Sequence, residues 1–187
     1  MTRRPSDAGM AACGPSPASS FFRAAKWLLP IVLSGCASYG GSSLTPGSSS
    51  LHDVLALMGQ PALQWTGTGG SVQLSYPRGP SGLQSYMVFI DARGRLDRVE
   101  NVMSAESLAK VAAGMDKDQV LRTLGPPVPE WSANFPARRE LAWEWRYCNA
   151  RSMIARFHVL LDSDTGRVRS TMSFDESGPE GGILCAQ

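Results

Sequence analysis

Polar and apolar residues alternate most strictly between positions 141 and 161. Leu141, Trp143, Trp145 and Tyr147 alternate with Ala142, Glu144, Arg146 and Cys148, and Met153, Ala155, Phe157, Val159 and Leu161 alternate with Ile154, Arg156, His158 and Leu160. A period of two is that of a strand buried on one face, so these segments predict antiparallel strands with an aromatic core face. Shorter runs at 71–76, 84–91 and 95–103 predict three more strands, and Asp91, Ala92, Arg93 and Gly94 suit the turn between the last two. Elsewhere the period is helical. Val120, Leu121 and Leu124 share one face, as do Leu51, Val54, Leu55 and Met58. A further helix is expected from Ser104, with Leu108 and Val111 inward and Gly114 just past its end.

The two main helices carry the same start and stop signals. Asp116 with Gln119 forms a capping box, and Ser50 with Asp53 a weaker one. Gly125 and Gly59 stand where the chain leaves each helix, at positions that favour a left-handed backbone, and Pro127 and Pro61 forbid continuation. Laid over each other, segments 48–65 and 114–131 match Val54 with Val120, Leu55 with Leu121, Gly59 with Gly125, Pro61 with Pro127 and Trp65 with Trp131. The strand segments downstream also correspond, 72–76 with 141–147 and 87–96 with 158–168. The expected fold is therefore α+β: two tandem repeats, 51–103 and 104–175, each with one or two short helices followed by a three- to four-stranded antiparallel sheet, and a tail at 176–187.

The second copy, with Gly114, Met115, Val120, Leu124, Gly125 and Pro127 ahead of strands rich in Trp and Tyr, resembles the SmpA/OmlA (BamE-like) family of bacterial outer-membrane lipoproteins. The first copy lacks the Gly-Met and keeps Val54, Met58, Gly59 and Pro61. Two such units in tandem are also similar to β-lactamase inhibitor proteins, whose repeats form one curved sheet. The resemblance covers roughly residues 47–175. It implies a role in outer-membrane protein assembly or envelope integrity through an envelope protein partner, the β-barrel assembly machinery being the candidate.

The leader changes the reading of composition. Residues 1–35 read as a lipoprotein signal peptide: a Pro/Ser-rich lead, Arg23 and Lys26, then a short apolar core at 27–33. Leu33, Ser34, Gly35 and Cys36 look like a lipobox, making Cys36 the acylated residue. Acyl chains add about 0.8 kcal/mol per buried methylene, so several together anchor stably. Ala37 beside Cys36 implies sorting to the outer membrane, facing the periplasm, and 36–50 reads as a flexible Gly/Ser linker. Four of the 18 basic residues and one of the 16 acids precede Cys36, leaving 14 against 15, so nothing points to nucleic acid.

The candidate binding face is the outer side of the second sheet, where Arg146, Arg156 and His158 align and Arg167 and Arg169 would extend a basic surface toward anionic head groups or an acidic protein; a solvated face is the plainer reading. Cys148 and Cys185 are the thiols left after Cys36, and either a disulfide or two unpaired thiols suits them. The run 67–70 reads as a hairpin loop because no Gly-Lys-Ser/Thr follows, and 162–166 as a turn because it lacks the later ligands of a calcium loop. Cys148 with His158 is the one candidate dyad, without an orienting third group. The sequence therefore predicts no catalysis, no cofactor and no metal site. Trp65 and Trp131, each after a proline-marked helix exit, suit core or contact. The expectation is a lipid-anchored binding module; the alternatives are a tandem-repeat inhibitor of a periplasmic or secreted enzyme and a structural envelope lipoprotein.

Overall fold

Two capped helices of eight residues, each followed by four antiparallel strands, organise the described part of the chain. A computed structural model describes residues 40–78, 82–178 and 181–185. The expected signal peptide at 1–35, Cys36 and the first part of the expected spacer lie outside those residues. The elements are α1 Leu51–Met58, β1 Leu63–Thr66, β2 Val72–Pro77, β3 Ser85–Ile90, β4 Leu96–Asn101, α2 Ala105–Leu108, α3 Lys117–Leu124, β5 Ala133–Phe135, β6 Glu140–Cys148, β7 Ile154–Asp162, β8 Val168–Asp175, and a small ribbon of β9 Ser177–Gly178 with β10 Gly181–Gly182. Strands β1–β4 form one meander and β5–β8 another, each in chain order, so this is an α+β fold of two repeated sheet units.

Both capping boxes are complete. Ser50 accepts from the Asp53 N–H while Asp53 accepts from the Ser50 N–H, and Asp116 and Gln119 do the same around α3. At the other ends Gly59 (φ 80°, ψ −162°) and Gly125 (φ 78°, ψ −174°) adopt backbone that side-chain-bearing residues avoid, and each N–H closes the last turn onto Leu55 or Leu121. The expected long helix after Ser104 is shorter. Regular α-structure ends at Leu108, and i+3 bonds from Lys110 and Val111 tighten the chain so that Leu108 and Val111 both reach the core.

Three features of the meanders were not predicted. The four-residue β1 and three-residue β5 begin each sheet and are half exposed. The sheets do not join into one curved sheet; they are separate. And the end of the expected spacer is docked: Leu44 packs on the first core, Gly47 N–H donates to the Leu96 carbonyl (2.8 Å), and Leu96 N–H donates to Ser49 (2.8 Å). The second repeat repeats this device. Gly114 N–H donates to Val168 O and Val168 N–H to Met115 O, both at 2.8 Å. The Gly-Met of the motif thus clamps the start of its repeat's last strand, and Gly47 (φ 78°) does for the first repeat what Gly114 (φ 90°) does for the second. A one-residue offset hides the equivalence in the alignment.

The layers share a helix. On its front face the first sheet buries Leu74, Tyr76, Val88, Ile90 and Leu96 against Val54 and Met58 of α1. Its back face carries Trp65, Gln73, Ser75, Met87 and Phe89, and it is covered by α3 of the second repeat. Met87 belongs to the same cluster as Val120 and Leu124 together with Trp145, Tyr147, Phe157, Val159 and Leu161 of the second sheet. Helix α3 has a face for each side: Val120 and Leu124 enter the second core, while Asp118, Arg122 and Gly125 face the first sheet. Asp118 accepts from Trp65 Nε1 (2.8 Å), the Arg122 carbonyl accepts from Gln73 Nε2 (2.6 Å), and Gly125 lies against Ser75 and Ser85. Trp65 is therefore inter-repeat packing.

Candidate protein-binding face

The back face of the second sheet has no α-helix on it among the described residues. Register places Glu144 opposite His158 and Arg146 opposite Arg156, with Met172 beside His158 and Phe174 beside Arg156. Two arginines facing each other would repel. They coexist because Glu176, arriving just after β8, bonds Arg146 through both oxygens (2.8 and 2.7 Å) and Arg156 Nε (2.9 Å). Glu144, buried, accepts from the other side of Arg156 (2.8 Å) and lies 3.5 Å from His158 Nδ1. Burial pushes the Glu176 carboxyl up, but the bonds from Arg146 and Arg156 outweigh it and hold it below the usual value. Burial likewise opposes the Arg156 charge, and the two glutamates overcome that and raise its pKa.

The expected basic surface is thus corrected to a neutral one. Two arginines meet two glutamates, and neither Arg167 nor Arg169 extends the face. Arg167 Nη1 donates to the Gly114 carbonyl (2.7 Å), bracing the clamp, and Arg169 sits at the β7–β8 bulge, bonded to Asp162 and to the Arg138 carbonyl (3.0 Å). Asp162 is occupied as a turn cap, accepting from the backbone of Asp164 and Thr165 as Asp91 accepts from Arg93 and Arg95 in the first repeat. Those turn bonds, with Arg169 and Thr165, keep its carboxyl well below the usual range.

What remains on the face is aromatic. Pro129–Trp131 forms a single 3-10 turn whose N-terminal neighbour Val128 donates to Glu144 O (2.9 Å), and this swings Trp131 over Arg156, 4.4 Å from ring centre to guanidinium. Phe135 carries Arg138 on its ring at 4.4 Å, and Phe174 meets His158 edge to face at 5.5 Å. Between Trp131 and Phe135 runs a groove of about 380 Å³ lined also by Ala142, Leu160 and Met172, by the paired Arg138 and Glu140, and by Glu144 and His158. Phe135, Met172 and Phe174 are 40%, 38% and 55% exposed, so large apolar side chains stand partly in solvent along this face. Trp131 therefore lies on the outer face of the second sheet, over Arg156. Sequence reasoning found Arg146, Arg156 and His158 by their shared strand parity, and Glu144 lay in the same alternation. Glu176 had no such signal because it follows the strand, 30 residues from Arg146 and 20 from Arg156.

Cys148 and Cys185 form a disulfide, which ties the tail to the end of β6. Ile154 N–H donates to Ile183 O (2.7 Å) and Cys185 N–H to Ser152 O (2.9 Å), so the tail is also held by backbone bonds. Cys148 stands opposite Ile154 and His158 opposite Glu144, so the candidate dyad does not meet. The motif residues Gly114, Met115, Val120, Leu124, Gly125 and Pro127 lie on the far side of the second sheet, as clamp, core and helix exit. No family model, curated protein or solved structure matches this chain.

Proposed function

We propose that this chain is a lipid-anchored binding module of the outer membrane, held by acylated Cys36 and facing the periplasm, that takes part in outer-membrane protein assembly or envelope integrity through an envelope protein partner. The resemblance to the SmpA/OmlA family motivates the cellular setting. The observation that carries the binding role is the groove between Trp131, Phe135 and Met172, where aromatic and apolar side chains stand partly exposed and the charges beside them, Arg138 with Glu140 and Arg156 with Glu144 and Glu176, are paired within the chain. An interface core has that composition, and charge compensation lowers the cost of desolvating it. The same exposed aromatic cluster favours, as a second reading, an inhibitor that occupies an enzyme's substrate cleft.

The test is in-cell cross-linking and mass spectrometry of the parent chain, a Cys36→Ser chain and a Trp131→Ala/Phe135→Ala chain. Enrichment of barrel-assembly subunits that falls in both variants supports the assembly role. Enrichment of one soluble enzyme, lost only in the aromatic variant, replaces it with the inhibitor reading. Partners unaffected by the aromatic substitutions refute the face.

A further inference from the structure

The two repeats end in equivalent edge strands, β4 and β8, and they are finished differently. Each has the outward backbone groups of its first residue taken by the clamp, Gly47 and Ser49 on Leu96 and Gly114 and Met115 on Val168. Beyond the clamp β4 presents Asp97, Arg98 and Glu100, with Arg98 ion-paired to both acids and stacked on Phe89. A charged edge of this kind discourages further strand pairing. On β8 the residue after the clamp, Arg169 at the bulge, is bonded to Asp162, and the stretch 170–174 beyond it has no charged residue and is exposed throughout.

Which of its backbone groups are open is set by register. Glu176 N–H donates to Ile154 O (2.8 Å), and Arg156, His158 and Leu160 stand opposite Phe174, Met172 and Ser170. Alternation then turns the N–H and C=O groups of Thr171, Ser173 and Asp175 away from β7. No described strand lies beyond them.

We propose that β8 is a self-pairing edge: a second copy of this chain adds its own β8 antiparallel across a twofold axis at Ser173. In that register Ser173 exchanges both backbone bonds with the partner's Ser173, and Thr171 and Asp175 do so with the partner's Asp175 and Thr171, so every outward-facing residue is used. On the groove side Met172 stands opposite the partner's Phe174 and Phe174 opposite the partner's Met172, which closes the two most exposed apolar side chains of the strand into one cluster of four. The Asp175 carboxylate that faces the partner's Thr171 already accepts from Arg151 and from Asn149 (2.8 Å), so no free charge is brought to the seam. Neighbouring registers are worse. An axis at Thr171 drives the partner onto the Gly114–Met115 clamp. One at Asp175 sets two carboxylates face to face, and one at Met172 or Phe174 leaves an outward-facing residue without a mate in the other β8. This self-complementarity favours a second copy over a strand of a different protein. The contact is smaller than the roughly 800 Å² per partner of standard stable interfaces, so the dimer is a weak one that local concentration must support. It does not depend on the functional reading above.

The experiment uses the full chain carrying Cys13→Ser and Cys36→Ser, which leaves Cys148 and Cys185 bonded to each other. Residues exchanging both bonds across an antiparallel seam have Cα atoms about 5.5 Å apart, within disulfide reach. Ser173→Cys should therefore form a covalent dimer on mild oxidation at high micromolar concentration. Thr171→Cys, four residues out of register with its own mate and so about 13 Å from it, should yield at least tenfold less. Adding Phe174→Lys to Ser173→Cys should cut the dimer about tenfold while circular dichroism stays unchanged. Sedimentation equilibrium of the parent should show a monomer–dimer equilibrium in the same concentration range. Equal cross-linking at both positions, a monomer throughout, or cross-links in cells to another protein alone would overturn the proposal.

Discussion

Gly125 and Gly59 occupy the same place in the two repeats and differ in what surrounds them, which makes them a controlled pair. Both have φ near +80° with extended ψ, a region that costs a residue with a side chain about 1–3 kcal/mol. A Cβ on Gly59 would meet nothing within 4 Å, whereas a Cβ on Gly125 would lie 2.7 Å from Ser75 Oγ, 3.2 Å from Ser85 Oγ and 3.6 Å from the Met87 methyl. Overpacking at a buried site adds about 1–3 kcal/mol. Gly59→Ala is therefore expected to lose about 1–3 kcal/mol and Gly125→Ala about 2–6 kcal/mol. The excess should be carried by Ser75, whose hydroxyl is fully buried without a hydrogen-bond partner. Ser75→Ala alone removes an unsatisfied group and should be neutral or mildly stabilising. In the Gly125→Ala background it should restore about 0.5–2 kcal/mol, a coupling energy of the size found between touching residues. Urea unfolding followed by tryptophan fluorescence and circular dichroism measures all four chains. Equal losses at the two glycines, or additivity of Ser75→Ala with Gly125→Ala, would refute the close approach of α3 to the first sheet.

Removing the disulfide with Cys148→Ser and Cys185→Ser opens a loop spanned by a sequence separation of 37, for which loop entropy gives about 4 kcal/mol; the loss should appear in unfolding curves, with faster hydrogen exchange in 176–185. Glu176→Gln should destabilise the chain by about 2–4 kcal/mol at neutral pH, because it leaves Arg146 and Arg156 facing each other. Glu176 has a folded pKa held below its ordinary 4.5, so its contribution is present above pH 4.5 and is lost as pH falls through the lower folded value; the gap between parent and Glu176→Gln should shrink across that acid window and stay flat above it. Trp65→Phe removes the Nε1 bond to Asp118 between the repeats and should cost about 1 kcal/mol by unfolding. Arg122 is the first cause of the lowered Asp118 pKa and Trp65 the second, so the same variant should move the Asp118 titration upward by NMR.

What could be read in the sequence was local. A capping box spans three residues, a glycine exit one, and the β6 and β7 alternation repeats every second position, so each carries its signal within its own segment. The shared fold of the repeats was legible in Val54, Gly59, Pro61 and their counterparts. What could not be read depends on partners far along the chain. The outer-face arginines looked free because Glu176 gave no pattern linking it to Arg146. Strand β1 was missed because four half-exposed residues bury too little to show a period. Gly47 escaped notice because its clamp is offset by one residue from Gly114, and Ser75 looked like an ordinary polar strand residue until Gly125 was found against it.

The shared helix gives the two described repeats the geometry of a stack. Stacking a sheet, then the next unit's helix, then that unit's sheet is the logic of a solenoid, and nothing in the first sheet's back face limits the number of units. The second sheet differs at the receiving surface. The turn-anchored register sets Glu144 and His158 where the first sheet has Ser75 and Met87, so the small pocket that admits Gly125 is replaced by long side chains locked together by ion pairs. A third helix exit would have to displace that network to seat itself. The outer face of the second sheet therefore lacks the small pocket that receives Gly125 on the first, and presents in its place a groove beside the ion-pair network.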